Sequence, residues 1–490
     1  MSTSATVRRG WFVCVLLSLL PGTPGFAQHD SLAHVYDLVV RRGHVMNPEN
    51  NFSGDVDIGI DGGTIEVVAD RRLEGKKTID AEGLIVAPGF IDILSYNPNE
   101  LGAWNKVEDG VTTNLAMHGG TSDPDRWYAE YGRQKPPVNY GASFFYTEAR
   151  NRFNLSRYKS ASADQIEKLL GIAERALSAG ALGVSFSPEY IPGISAAEIV
   201  PQMLLAKKYG APVFFHVRYS TMVPPGTNID ALNEVIEYAL QTGAAVHIDH
   251  INSTGGTFSM KQSLKLLAEA RKAGVDVTAS IYPYNFWGTY LNSARFDPGW
   301  QERFHIGYGD LQIAGTAERL TKDSFERYRK EGKIAVAYAI PEQDVIDAIE
   351  SPFVMIGSDA ILGPSHNNHP RASGTFARTI ALYAREKKVI TLMEALAKMT
   401  IQPARLLEPI APMMKKKGRI SEGADADIVI FDYNRMQDRA TVEHPEYAST
   451  GISYVIVGGR IVKDLDGLHK QVRMGKPIRG LVKRAVQMSN

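Results

Sequence analysis

Cysteine is almost absent: the 490 residues hold one, Cys14. It lies inside an N-terminal segment that reads as a removable signal, so the mature chain has no disulfide, no thiolate ligand and no cysteine nucleophile. An excess of charge is also missing, with 54 basic residues against 54 acidic ones. Without a basic stripe to neutralise phosphates, nucleic acid is not an expected partner. Long hydrophobic runs are scarce too. The apolar stretch from Trp11 to Leu20 is too short to cross a bilayer comfortably, and no transmembrane segment is expected in the mature form.

That apolar stretch follows Arg8 and Arg9 and leads into a Pro/Gly-rich segment ending Gly25-Phe26-Ala27. A positive flank, a short apolar core and small residues before a cut describe a signal peptide over residues 1–27. The mature protein is therefore expected to be periplasmic or secreted. The paired arginines are compatible with twin-arginine as well as general export.

The rest of the chain has two textures. Segments such as "YDLVVRRGHVMNP" and "GDVDIGIDGGTIEVV" alternate apolar and polar residues around Asp-Gly and Gly-Gly turns, and the same texture returns in "GADADIVIFDYN" and "GISYVIVGGRIVKD". Neither end has enough strands alone, so residues 36–87 and 411–470 are expected to pair into one small antiparallel β-sandwich domain. Between them, over 88–410, apolar strands ("GVTTNLAM", "GASFFYTE", "ALGVSFS", "APVFFHVR", "AAVHIDH", "VDVTASIYPY", "FVMIGSD") alternate with helical segments such as "SADQIEKLLGIAERALSAG". Repeated β-then-α units predict a parallel sheet with helices outside, here a closed (β/α)8 TIM barrel of the α/β class. The tail "HKQVRMGKPIRGLVKRAVQ" carries several cations and reads as a solvated surface.

In such a barrel the chemistry sits at the C-terminal strand ends. There the sequence places Glu148, His216 with Arg218 two residues on, His250 and Asp359. Two imidazoles and a carboxylate with one open position form a catalytic zinc set, and zinc brings the pKa of its water towards ~7. Tyr282 reads as a pocket wall, His247 as structural, and His366 and His369 as loop residues near the mouth.

The marks "LIVAPGFID", "DGVTT", "ALGVSFSPEYIPG", "FFHVRYS", "IYPYNFWGT", "VMIGSDA", "HPRASGTFAR", "LAKMTIQPARLL" and "GRISEGADADIVIFD", in that order, resemble the D-aminoacylase (N-acyl-D-amino-acid deacylase) family of the amidohydrolase superfamily. The resemblance covers nearly all of the mature chain. It implies a barrel with a small β-sandwich, hydrolysis of an amide in an N-acylated D-amino acid or related peptide, and a small substrate carrying a carboxylate. It also implies His216 and His250 as metal ligands, Asp359 as base and second-metal ligand, and Arg218 and Arg371 as anchors for the substrate carboxylate.

Two departures stand out. The family's His-x-His pair is replaced by Leu94 and Tyr96, and its metal-binding cysteine falls at Gly119, after His118. A single zinc ion on His216 and His250, with Glu148 or His118 in place of the missing sulfur, is the expected cofactor. Metal-independent acid–base chemistry (a lyase, cyclase or isomerase) and a non-catalytic binding protein are the alternatives. By the period of two, Leu94 and Tyr96 should share a strand face and point into the barrel mouth. There the Tyr96 hydroxyl either fills space or donates a hydrogen bond while Asp359 moves protons.

Overall fold

At Pro88-Gly89-Phe90 the chain passes from one sheet to another. In the computed structural model, which describes residues 34–481, strand Ile85–Pro88 belongs to a nine-stranded sheet and Phe90–Asp92 to an eight-stranded one. A Cβ on Gly89 would meet Thr112 Cγ2 at 2.2 Å, so only glycine fits the crossing. Its N–H donates to Asp427 O at 2.9 Å, tying the crossing to the far end of the chain. The signal-like residues 1–27 and the last residues of the basic tail lie outside the described residues.

The nine-stranded sheet draws on both ends of the chain. Ile85–Pro88 runs antiparallel to Ile428–Phe431 on one side and parallel to Val35–Asn47 on the other. Both ends also supply its core, through residues such as Leu38, Val45 and Ile58 from the first and Ile428 and Ile456 from the second. The pairing is mixed rather than antiparallel throughout, because Glu74–Asp80 also runs parallel to Val35–Asn47. Turn residues announce hairpins; they are silent about strands that return by a longer connection.

The eight-stranded sheet is the barrel. Its strands are β1 (Phe90–Asp92), β2 (Val111–Thr121), β3 (Asn139–Phe145), β4 (Val184–Phe186), β5 (Val213–Phe215), β6 (Val246–Ile248), β7 (Val277–Ile281) and β8 (Val354–Ile356). All the neighbour pairs are parallel and follow chain order from β1 to β8. Helices between them end where their sequences say they should. Ala163–Ser178 starts at a Ser162–Gln165 capping box, and Ala196–Tyr209 stops at Gly210 in the left-handed conformation.

Between β7 and β8 the chain inserts a three-stranded antiparallel sheet of Trp287–Tyr290, Leu311–Ile313 and Ile334–Ala337. The sequence pattern did not announce this insertion. Part of the tail departs from expectation as well: Ile478 is fully buried, Arg479 lies over the Tyr128 ring at 4.1 Å, and Arg473 pairs with Glu100. Alternating cations conceal the apolar residues that dock this segment.

Among the described residues no β-ladder joins β1 to β8, so the barrel is nearly closed and its seam is held by side-chain contacts together with a main-chain hydrogen bond. The Asp92 carboxylate accepts from Ser358 N at 2.9 Å and Ser358 Oγ at 2.6 Å, and pairs with Lys106 Nζ at 2.8 Å. Asp359 N donates to Leu94 O at 2.7 Å, and Ser95 Oγ to Ala360 O at 3.2 Å. Asp92 and Lys106 are 0% and 1% exposed, so neither charge has water to fall back on. Asp92→Asn keeps the shape of the seam but leaves the ammonium without its counter-charge. It should cost about 3–5 kcal/mol of stability, read as an earlier urea midpoint; an unchanged midpoint would remove the pair from the seam.

Candidate metal centre and active site

At the C-terminal ends of the strands lies a cavity of about 1000 Å³. Residues following β1, β2, β4 and β8 line it, and the inserted sheet adds Gly288, Thr289, Tyr290 and Ile334. His118 lines it, and its buried imidazole forms a cluster with those of His216 and His250 in which the potential ligand atoms lie within 4.8 Å of one another. His118 is on β2, while His216 and His250 follow β5 and β6 by one and two residues.

Each ring has one nitrogen engaged away from the cluster. His118 Nδ1 lies 3.1 Å from Asp249 Oδ2, His216 Nε2 lies 2.6 Å from Glu189 Oε2, and His250 Nδ1 lies 3.4 Å from Thr254 Oγ1. That leaves His118 Nε2, His216 Nδ1 and His250 Nε2 to face one another, the last two 3.1 Å apart. Imidazoles oriented from behind by carboxylates are the arrangement that metal-binding histidines require. Glu189 is itself held by Arg295 at 2.7 Å and Ser220 at 2.6 Å, and Arg295 is sandwiched against Trp287 and Phe304. The donor set fits a transition metal such as zinc, for which three protein ligands and an open position are a familiar catalytic geometry.

The electrostatics agree. Burial pushes His216 and His250 well below the usual imidazole range, which keeps them neutral and available as ligands. Burial opposes protonation of His118 too, but the carboxylates of Asp359 and Asp249 outweigh it and raise its pKa. A metal taking that ring therefore displaces a proton. Asp249, buried behind it, is pushed up to about 6.

Asp359 lies between the cluster and the cavity, 4.0 Å from His118 Nε2 and 3.8 Å from His250 Nε2. Its carboxylate accepts from Tyr96 Oη at 3.2 Å and pairs with Arg371 at 2.8 Å. Burial would raise its pKa, but the Arg371 guanidinium, with His250 and His118, holds it below the ordinary carboxylate range. The partner that the resemblance gave Asp359 was a second metal ion; in the structure that positive charge is a guanidinium. Arg371 also lines the cavity, so a guanidinium stands on its wall. Both His250 (φ 30°) and Asp359 (φ 50°) adopt left-handed backbone, a strain that non-glycine residues keep where a side chain must be aimed.

Several expected site residues are placed differently. Glu148 is no ligand in this arrangement: it sits in the helix Tyr146–Asn151 and accepts from Ser122 N, outside the histidine cluster. Of the two replacements considered for the missing sulfur, the structure brings His118 to the cluster. Arg218 is turned away from the cavity. β5 ends at Phe215, so the period of two no longer relates Arg218 to His216. Its guanidinium is consumed by Glu234 at 2.7 Å and by the carbonyls of Pro192 and Ile194.

Tyr282 is fully buried; Arg371 stacks 4.4 Å over its ring, which meets the His250 ring edge-on at 6.2 Å. His247 is buried in β6 with Nδ1 2.8 Å from Thr278 Oγ1, as a structural residue should be. Of the loop histidines, His366 is 82% exposed, whereas His369 is buried against Phe286 and accepts from Arg371 N at 3.1 Å.

Leu94 and Tyr96 do not share a face, because β1 ends at Asp92. Leu94 is completely buried in the barrel core against Gly357, while Tyr96 lines the cavity. The Tyr96 ring meets His118 edge-on at 5.7 Å, and a Cβ on Gly119 would lie 3.0 Å from Tyr96 Cδ1. The missing side chain at position 119 thus makes room for the phenol. Sequence reasoning missed Glu189, Asp249 and Arg295. The two carboxylates do follow the ends of β4 and β6, which is the signal that singled out Asp359.

Comparison with known proteins agrees with this architecture. The amidohydrolase family profile matches residues 347–463. An N-acyl-D-glutamate deacylase of Alcaligenes xylosoxydans xylosoxydans is 29% identical over 463 residues, 86% of this chain and 93% of that protein. The D-aminoacylase of the same organism is 27% identical over 467 residues, 86% and 94% of the two chains. Among solved structures, the N-acyl-D-glutamate deacylase of Bordetella bronchiseptica, complexed with zinc and a phosphonate inhibitor, superposes with a TM-score of 0.79 at 25% identity, covering 91% of this chain and 100% of that one. A D-aminoacylase crystal structure matches with the same TM-score at 24% identity. Over most of its length the chain is similar to amidohydrolases of the D-aminoacylase family.

Proposed function

We propose that this protein is an exported deacylase that hydrolyses the amide bond of an N-acyl-D-amino acid at a single metal ion. The observation that carries the reading is the cluster of His118, His216 and His250, tethered from behind, with Asp359 of the cavity wall 4.0 Å from His118 and 3.8 Å from His250. Relatives named for the deacylation of D-amino acids support the substrate class. A divalent ion on the three imidazoles supplies Lewis acidity towards an amide carbonyl and acidifies water.

The chain's own residues account for the rest. Asp359 is ionised at neutral pH and is the group that takes a proton from water and passes it to the leaving nitrogen. Tyr96, whose pKa burial and Asp359 push well above the ordinary phenol value, stays protonated and offers a hydrogen bond. Arg371, on the cavity wall, is the cation placed to attract the substrate carboxylate while bracing Asp359. A second metal is not part of the proposal: Leu94 is buried in the core, and Arg371 and Tyr96 already occupy the Asp359 oxygens.

Four outcomes are expected. Elemental analysis should find close to one equivalent of metal, zinc foremost, lost in a His216→Ala/His250→Ala double variant; two tightly held equivalents would contradict a single site. In a screen of N-acyl-D- and N-acyl-L-amino acids, D-substrates should be turned over and Asp359→Asn should abolish that turnover. Tyr96→Phe should lower kcat by ~10²–10³ if the hydroxyl is a transition-state donor, and full activity in that variant would reduce the phenol to filler. Protein from a native producer should begin near Gln28, the residue after Ala27; an intact Met1 in a cytosolic fraction would end the export reading.

A further inference from the structure

The carboxylate behind His216 and the turn behind His250 are tied to one guanidinium, and that guanidinium does not belong to the barrel. Arg295 lies in the short helical turn Ala294–Phe296, within the segment inserted between β7 and β8. Its Nη1 donates to Glu189 Oε2 at 2.7 Å, the same oxygen that stands 2.6 Å from His216 Nε2. Its Nη2 donates to Ser253 O at 2.7 Å. Ser253 is part of the turn that follows His250. There Ser253 N and Thr254 N donate to His250 O at 2.8 and 3.2 Å, and Thr254 Oγ1 lies 3.4 Å from His250 Nδ1. One planar fork thus reaches the supports of two imidazoles whose facing nitrogens are 3.1 Å apart.

The fork is itself fixed by the insertion. Its guanidinium lies 4.2 Å from the centre of the Trp287 ring and 4.8 Å from that of Phe304, and Arg303 Nη2 donates to Arg295 O at 3.2 Å. The Arg295 side chain is 1% exposed. A buried ion pair is a weak source of stability, because well-packed apolar residues of similar volume do as well. What a rigid fork held in this way supplies is geometry, and geometry is what the cluster requires. A carboxylate paired with a guanidinium accepts the proton of His216 Nε2, which turns the bare Nδ1 towards His250. His250 in turn keeps a left-handed backbone, φ 30°, that its turn must hold.

We propose that Arg295 is a positioning residue of the metal centre: by spanning Glu189 and Ser253 it sets the spacing and orientation of His216 and His250, so that the inserted segment, and not the barrel alone, completes the site. The inference rests on the metal-centre part of the proposed function and is independent of the substrate.

Arg295→Lys keeps a positive charge for Glu189 but loses the fork, so one side chain no longer reaches both partners. Zinc affinity, measured by competition with a chromogenic chelator, should fall at least tenfold in this variant, within the about 10–100-fold that replacing such outer partners of a metal site costs. The visible spectrum of the cobalt-loaded protein, which reports ligand geometry, should shift as well. Both readouts are taken on protein whose circular dichroism matches that of the wild type. A residue that only stabilised the fold would lower the urea midpoint of the metal-free protein and leave both readouts alone. A smaller loss of affinity, or an unchanged cobalt spectrum, would therefore overturn the inference. Should Arg295→Lys fail to fold, Glu189→Gln is compared with Glu189→Gln/Arg295→Met, a pair in which no buried carboxylate at position 189 is left without its cation. A further tenfold loss of zinc affinity in the double variant supports the span, and equal affinity overturns it. A wild-type protein that binds no zinc would instead overturn the metal-centre reading, and this inference with it.

Discussion

The seam between the first and last barrel strands is the constraint on which the rest of the site depends. A barrel has no free edge only if its ends meet, and here the meeting is made chiefly by Asp92, Lys106 and Ser358, with a main-chain bond but no ladder. A buried ion pair is not in itself a strong source of stability, because both charges lose their water. Its value is in being specific: the pair and its hydrogen bonds fix one register between the strand leading to Tyr96 and the strand leading to Asp359. The Asp359 N–H to Leu94 O bond is part of the same seam. The two residues that meet at 3.2 Å over the cavity thus come from opposite ends of the barrel and are aligned by its closure.

Around that seam the pocket shows a coordinated rearrangement of side chains. Glycine at position 119 leaves space that the Tyr96 ring fills, and the imidazole of His118, one residue earlier on β2, supplies the third nitrogen of the cluster. Leucine at position 94 would be a poor choice for a cavity wall facing metal and water; buried in the core against Gly357 it is well suited. Each substitution makes physical sense in the company of the others. Charge follows the same logic: Arg371 and Tyr96 satisfy Asp359, and Arg295 satisfies Glu189, so the mostly buried carboxylates that orient the site are paired.

What can be read from the chain alone follows from local rules. Alternating apolar residues and Gly-containing turns define the end strands, the repeated strand-then-helix pattern defines the barrel, and strand-terminal polar residues identify His216, His250 and Asp359 as chemistry-bearing positions. These signals are local because backbone periodicity and capping act over a few residues. The same rule, extended to every strand end, reaches Glu189 and Asp249 as well. It fails for Arg218 and Leu94, because period-two alternation holds only while the chain remains in the strand and β1 and β5 are three residues long, and for Glu148 because the chain enters the helix Tyr146–Asn151 directly after β3.

The sequence by itself determined the fold class, the pairing of the two chain ends and the set of polar residues available to the site. Only the tertiary structure decided which of them meet: that His118 and not Glu148 joins the imidazoles, that Arg371 faces the cavity while Arg218 is spent on Glu234, and that Tyr96 bonds a residue 263 positions away. The physical reason is range. Strand and helix signals are written within a few residues, whereas a hydrogen bond or ion pair acts over about 3 Å between groups that the whole barrel must first bring together.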